Sequence, residues 1–407
     1  MESQWAYFQQ HFDAVREDAR HVGHALVVRE PCVGLGGFRA FMEAANLPYQ
    51  SDASDVEKGY HEFYQFISKQ KGNELHKFCM GKAGDIVAAQ DVGDAEGLQA
   101  GPPCTPWAGN GRRRGCHDPL AEVFERVIDE VCALATKGSL LFFGIENTPN
   151  IKHMEAGESM PWLDKMLLKL HKSLPLADWV IDVRECNLVE WIPHSRRRLW
   201  IRGAKRIILG PEAVIPGIPI DPLGGFKISL WDLLDKNIPN MQPSDLKTFN
   251  RHRNLLDYCR LIQDAYRHRS YQHPCGDIAV FEIDRCLGKK FAGQIFYDCV
   301  PPLRVRGPDF FVASVLDVVH ERPISQRAFH RLLTNPERFL LQGQPAMFSS
   351  KFSLTLGRKA TGNAIGSPMA ASMMGPLVAA AMKYKRSRFE ELQQDFPEGP
   401  AKRIKLC

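Results

Sequence analysis

The sequence predicts an α/β fold, a Rossmann-like doubly wound parallel sheet accompanied by a smaller second domain, and three observations predict it. From Ala25 the chain reads strand, glycine turn, helix, as ALVVREPC, VGLGG and FRAFMEAAN, which is how a nucleotide-binding sheet opens. Buried-strand and helical patterns then alternate to Gly203, with chemically capable residues at strand ends, where such sheets keep their sites. From about 204 to 325 that regularity weakens, and helical patterning returns afterwards.

Taken in order, residues 1–23 are polar with Phe and Trp at helix-like spacing, a helix expected to pack on the main domain. A second apolar and polar unit covers 49–66, and a third short one ends near Gly84, Asp85 and Ile86. Residues 97–100 form a strand, 119–135 a helix, and 139–145 a buried strand ending in Glu146 and Asn147. A helix is expected over 162–174, with strands over 179–183 and 199–203. The less regular region carries Gly224-Gly225, the basic run Arg251-His252-Arg253 and β-like runs at 278–283 and 294–297. Helices are expected again over 327–339 and 364–384. The resulting division is an N-terminal helical extension (1–23), a catalytic domain (24–203), a substrate-reading domain (204–325), a return of the chain to the catalytic domain (326–388) and a charged tail (389–407).

The 407 residues are 44% hydrophobic and 24% charged, ordinary globular composition that excludes bulk disorder. With 52 basic and 47 acidic residues the net charge is only +5, so nucleic-acid binding must be carried by local clusters. The eleven cysteines show no Cys-x-x-Cys and no signal peptide is expected, which fits a reduced compartment. The longest apolar runs, 140–145 and 369–382 with its Gly375-Pro376 break, fall short of a bilayer span, so no membrane partner is expected.

The most informative stretch is 98–115, LQAGPPCTPWAGNGRRRG. Pro102 and Pro103 stop a strand and leave Cys104 on a stiff loop. That position suits a nucleophile, which needs reach and an electropositive setting to become thiolate. Arg112, Arg113 and Arg114 just after it are placed to hold a phosphate backbone, a solvated charge run being an equal alternative for any one of them. Gly34, Leu35, Gly36 and Gly37 form the turn that lets backbone approach a cofactor. Asp55, beside Val56 at the end of the second unit, suits ribose hydroxyls, with Asp52 a competing choice. Asp85 precedes Ile86 in a further turn. Glu146 follows the apolar LLFFGI, so desolvation is expected to raise its affinity for a proton. Arg196 and Arg198 flank Arg197 ahead of a strand, and alternate strand residues share a face.

These motifs, in this order across 31–371, resemble the DNA cytosine-5 methyltransferases. The Pro-Pro-Cys is followed by Pro106, Trp107, Gly111 and Gly115, as in that family. Its Phe-x-Gly-x-Gly-Gly is present with Cys32 in place of phenylalanine, its Glu-Asn-Val with Thr148 in place of valine, and its Gln-x-Arg-x-Arg with His194 in place of glutamine. Arg331-Leu332-Leu333-Thr334, Glu337 and Leu341-Gln342-Gly343 are similar to its helix that organises target recognition. Gly362-Asn363-Ala364-Ile365 is similar to its last motif, which returns to the cofactor pocket.

The resemblance implies a methyltransferase sheet that binds S-adenosylmethionine through Cys32, Gly34, Leu35, Gly36, Gly37, Asp55, Val56, Asp85, Ile86, Pro102, Asn363 and Ala364. It implies that Cys104 adds to carbon 6 of a flipped-out cytosine while Glu146 meets the ring at N3, with Arg196 and Arg198 holding the reacting groups. Trp107, Arg112, Arg113 and Arg114 are then expected to meet nucleic acid. No metal is expected, because His273, Cys275, Cys286 and Cys299 have irregular spacing. DNA is the expected substrate, with transfer RNA as the alternative in the same family. A non-catalytic DNA-binding adaptor is the alternative of another class, motivated by Cys32, Thr148 and His194. The tail PAKRIKLC, with Lys402, Arg403 and Lys405, resembles a nuclear-import signal. A nuclear location and an import receptor binding 400–407 are therefore expected, the cytoplasm being the alternative, while oligomeric state is not legible.

Overall fold

A computed structural model describes residues 13–395 apart from 23–24, 72–76, 89–92, 109–113, 217–227, 247, 268–276, 286–293 and 306–308. The chain divides into two compact units, one made of Met1–Cys186, Arg197–Gly225 and Ser367–Cys407, the other of Asn187–Arg196 and Phe226–Gly366.

The first unit is built on seven strands: β1 (Leu26–Pro31), β2 (Tyr49–Asp55), β3 (Lys77–Met80), β4 (Gly97–Ala100), β5 (Phe142–Asn147), β6 (Trp179–Asn187) and β7 (Arg197–Lys205). Their order is β3-β2-β1-β4-β5-β7-β6. The pairs from β3 through β5 are parallel, and β7 runs antiparallel to β5. The chain therefore leaves β1 toward one edge and resumes at β4 toward the other, a switch point that opens a crevice at the carboxyl ends of β1 and β4.

The crossover from β4 to β5 is the helix Ala121–Lys137, whose buried stripe of Phe124, Val127, Ile128, Val131 and Leu134 packs on the sheet. Arg29 of β1 donates from Nε and a terminal nitrogen to the two carboxylate oxygens of buried Glu130 on that helix, at 3.1 and 3.2 Å. Such a fork-to-fork pair fixes orientation as well as charge. On the other side, the helix Ser367–Asp395 packs against Asp13–Val22, Gly37–Ala44, β5 and β7. The helical run 354–393 is long and apolar enough to cross a membrane by length and composition, unlike the sequence expectation, yet 83% of its apolar window is buried within the protein.

The second unit holds β8 (Ile278–Glu282), β9 (Phe296–Tyr297), β10 (Phe310–Ser314) and β11 (His330–Leu332), ordered β11-β10-β8-β9. The helix Phe249–Arg267 covers them, with Tyr258 stacked on Phe281 at 4.3 Å and Phe281 on Phe311 at 5.4 Å. Arg331 forks onto Glu337 at 2.7 and 3.0 Å and also donates to the Asp235 carbonyl at 2.8 Å. Burial alone would raise the Glu337 carboxyl; Arg331 and Thr334 outweigh it and hold it below its ordinary range.

Three expectations need correction. Residues 330–332 are a strand of the second unit, pairing antiparallel with Phe311–Ala313, because Arg331 and Glu337 tie this segment to Asp235. The chain consequently rejoins the first unit at Ser367 rather than near 326, and it first leaves that unit at Asn187 rather than near 204. The region 204–325 also contains a 19-residue helix, Phe249–Arg267, whose basic residues concealed its apolar stripe.

Candidate active site

Six first-unit segments meet the functional edge of the sheet. The turn after β1 opens with Cys32 at φ 55°, followed by Gly34 at φ 54° and Gly36 at φ 67°. Gly36 caps the helix Gly37–Ala44 in the left-handed region, and a methyl group there would stand 2.8 Å from the Tyr64 hydroxyl and 2.9 Å from Arg39 Nε. The Tyr64 hydroxyl donates to the Gly34 carbonyl at 3.1 Å. Above Gly34, by contrast, a Cβ would meet no atom within 4 Å. This is a rigid turn with an open face, the shape a ligand can approach closely.

Asp55, at the end of β2, accepts from the Gly34 amide at 2.9 Å and from the Glu57 amide at 2.8 Å. It ties the tips of β1 and β2 together. Desolvation, and after it the Asp55 carboxylate, pushes the Cys32 thiol up. Cys32 is thus a neutral, polarizable surface where an aromatic ring was expected. Asp85 caps its own turn through the Val87 amide at 3.1 Å. Val56 is 67% exposed, whereas Leu35 and Ile86 are core residues, so only their backbone can serve a ligand at this edge. The open face of Gly34, the acceptors Asp55 and Asp85 and the neutral Cys32 fit the adenosine and ribose portion of S-adenosylmethionine.

Cys104 follows β4 at intermediate exposure. Its carbonyl accepts from the Trp107 amide at 3.1 Å and the Ala108 amide at 2.9 Å, closing a turn. Two asparagines hold that turn on either side: Asn147 donates to the Pro102 carbonyl at 3.2 Å and Asn150 to the Trp107 carbonyl at 3.0 Å. Neither amide contact was foreseen from sequence. The available signal was a pair of amides directly after a buried strand, in ENTPN.

Glu146 ends β5 and is only 5% exposed. Arg198 Nε lies 2.6 Å from its Oε1, so the carboxylate is not buried alone. The pairing follows from topology: β7 is antiparallel to β5, with Asn147 opposite Leu199, which brings the start of β7 to the functional edge. The shared face expected for Arg196 and Arg198 is corrected by the same geometry. β7 begins at Arg197, so strand alternation does not reach Arg196. Buried Arg196 belongs to the second unit and donates to the Gly362 carbonyl at 3.1 Å.

Trp107 also departs from expectation. Its indole is 5% exposed, stacked 6.0 Å from Trp162 and edge-on to Phe124, with Nε1 donating to Glu155 at 2.7 Å. An indole spent on the core offers no stacking face to a base. Arg112 and Arg113 lie outside the described residues, as do His273, Cys275 and Cys286, while Arg114 is exposed ahead of the turn Gly115–His117. Asn363 and Ala364 belong to the second unit, Asn363 exposed and Ala364 buried. So does His194, fully buried, which bonds the Leu341 carbonyl through Nδ1 at 3.0 Å and takes the Leu303 amide on Nε2 at 3.1 Å. Among the described residues, Cys116, His117 and Glu158 stand close enough to share a cation. Burial, then hydrogen bonds to Glu158 and Glu155, push the Cys116 thiol up to about 12.

Residues 28–378 match the sequence profile of the C-5 cytosine-specific DNA methylases. A search of curated proteins by sequence found no significant match. Among solved structures, the S. pombe Dnmt2 methyltransferase superposes with a TM-score of 0.50 at 16% identity, covering 87% of this chain and 98% of that one. A protein described as a DNA modification methyltransferase encoded within an E. coli prophage gives 0.49 at 16% identity, with 90% and 100% covered. The Entamoeba histolytica methyltransferase EhMeth gives 0.47 at 16% identity, with 91% and 99% covered. At these identities the likeness is one of fold.

Proposed function

The chain belongs to the C-5 cytosine-specific DNA methylase family, and on that premise we propose that it methylates carbon 5 of cytosine in DNA through a covalent Cys104 adduct. The observation that carries the reading is the first unit's convergence of a stapled Cys104 turn and an ion-paired Glu146 at the ends of adjacent parallel strands.

The Cys104 thiolate adds to carbon 6 of the ring, which makes carbon 5 electron-rich enough to take an electrophile. Charge builds toward N3 as it does so. Glu146, held by Arg198 and carrying a proton in the base-bound state, meets that edge of the base, lends N3 that proton as charge builds and takes it back when the ring is restored. S-adenosylmethionine, the methyl donor of the family, supplies the electrophilic methyl group when bound at Gly34, Asp55 and Asp85. Loss of the carbon-5 proton to solvent then expels Cys104 as thiolate and restores the ring. None of these side chains reaches a base inside a duplex, so the cytosine is turned out of the helix. Exposed Arg114, with Arg112 and Arg113, is assigned to phosphate contacts.

The test is transfer of labelled methyl to duplex DNA and to transfer RNA by the whole protein, beside Cys104→Ser. Label in DNA that disappears with the substitution is expected, as is a trapped adduct on 5-fluorocytosine DNA. Label confined to RNA would move the substrate, and no label in either would overturn the assignment. A nuclear location belongs to the same proposal. Lys402, Arg403 and Lys405 lie outside the described residues, and their joint replacement by alanine should abolish nuclear accumulation.

A further inference from the structure

We infer that Glu155 is a positioning residue that pins both stems of the loop carrying the nucleophile, an inference that rests on the proposed role of Cys104. Its two carboxylate oxygens are divided between the stems: Oε1 accepts from Trp107 Nε1 at 2.7 Å and Oε2 from the Cys116 amide at 2.7 Å. Trp107 lies three residues after Cys104, and its own amide closes the turn on the Cys104 carbonyl at 3.1 Å. Cys116 lies in the turn Gly115–His117. One carboxylate thus ties Trp107 to Cys116, beside the bond from the Gly115 amide to the Pro106 carbonyl at 3.1 Å.

The backbone is shaped to receive it. Gly115 has φ +54°, and a Cβ there would lie 1.8 Å from Glu155 Oε2. A neighbouring carboxylate adds a second tie: Glu158 accepts from Cys116 Sγ at 3.1 Å and is ion-paired with Lys165. Both acids sit on the segment that runs from Glu146 toward the helix Trp162–Ser173, and Trp162 supplies the surface on which Trp107 stacks. The segment after the proposed acid therefore sets the position of the proposed nucleophile. Alanine in place of Glu155 would leave the indole N–H buried without that acceptor, and an unmade bond of that kind is expensive.

The experiment uses the full chain with Glu155→Ala, Glu155→Gln and Trp107→Phe, and reads three rates: tryptic cleavage after Arg114, alkylation of Cys104 by iodoacetamide with Cys79 as internal control, and single-turnover methyl transfer. Losing a charge-assisted hydrogen bond should raise loop cleavage in Glu155→Ala about tenfold or more, since cleavage follows the population of the opened form. Cys104 alkylation should shift by a similar factor while Cys79 does not, and kcat should fall with KM unchanged. Glu155→Gln keeps one acceptor oxygen and should fall between wild type and alanine. Trp107→Phe, which keeps the ring packing but removes the indole donor, should do the same. Cleavage and alkylation in Glu155→Ala within twofold of wild type would overturn the inference. So would changes that merely track a loss of global stability in urea. Because protease and alkylating agent need no substrate, failure of the wild-type protein to methylate anything would count against the proposed function and leave the clamp to be judged by its own rates.

Discussion

Replacing Arg198 by methionine should strand Glu146. The two side chains are 12% and 6% exposed and their charged atoms are 2.6 Å apart. Methionine retains most of the apolar stem of arginine, so the principal loss is the charge partner of a desolvated carboxylate. Breaking a buried pair on one side costs about 3–5 kcal/mol, whereas an exposed pair is worth about 1 kcal/mol or less. The slight exposure of Arg198 places R198M near the lower end, roughly 3 kcal/mol, which is about a fifth to three-fifths of the stability of an ordinary domain. Urea unfolding followed by far-UV circular dichroism would show it as a lowered midpoint at constant slope. E146Q removes the charge that R198M strands, so the double variant R198M/E146Q should lose at least about 1.5 kcal/mol less than the sum of its parts. Methyl transfer should be lost in all three. An R198M protein within about 1 kcal/mol of wild type, or strict additivity in the cycle, would refute the reasoning that the pair is buried and mutual.

Buried Glu30, bonded by the Ser51 hydroxyl at 2.6 Å, has its carboxyl pushed from 4.5 up to about 7 by burial. A raised acid stabilises the fold below its unfolded value and loses that contribution as pH climbs through about 7. Wild type should therefore lose roughly 3 kcal/mol relative to E30Q between pH 4.5 and 8, read as a difference of urea midpoints across pH; a pH-independent difference would contradict it. G36A should weaken S-adenosylmethionine binding about tenfold by calorimetry, because a left-handed non-glycine residue costs about 1–2 kcal/mol and its methyl group would press on Tyr64 and Arg39. R331M should destabilise the second unit by about 3 kcal/mol or more, with loss of protease resistance confined to 226–366; uniform sensitivity along the chain would show that the tie to Glu337 and Asp235 is not local.

The parts of the fold that were legible were those where local pattern and burial agree. The turn at Gly34–Gly37, the helix after Cys104 and the strand ending at Glu146 each announce themselves through apolar spacing and a punctuating residue. The second unit was less legible because its strands are short and its long helix begins FNRHRN, a basic face that hides Leu255, Tyr258 and Ile262. The Arg196 and Arg198 pattern misled for a different reason. Strand alternation predicts a shared face only inside the strand, and a start at Arg197 cannot be read from a run of three arginines. Trp107 misled because an aromatic residue beside a nucleophile looks the same in one dimension whether it faces solvent or core; the Glu155 carboxylate that turns it inward lies 48 residues away.

The three departures that motivated a non-catalytic reading each acquire a structural account. Cys32 occupies a left-handed position, φ 55°, at the mouth of the β1 turn, and desolvation keeps its thiol neutral, so it replaces an aromatic surface with another uncharged one. Thr148 has extended backbone, φ −76° and ψ 145°, and its amide donates to Asn147 Oδ1 at 2.8 Å. A β-branched residue suits that conformation as well as valine does. His194 accepts from one backbone amide and bonds one carbonyl, the two-sided duty a glutamine amide performs. None of the three removes a group that the chemistry requires. The adaptor reading must therefore rest on something other than these substitutions, and the methyl-transfer assay with Cys104→Ser decides it directly, because an adaptor binds nucleic acid equally well with either residue and labels none.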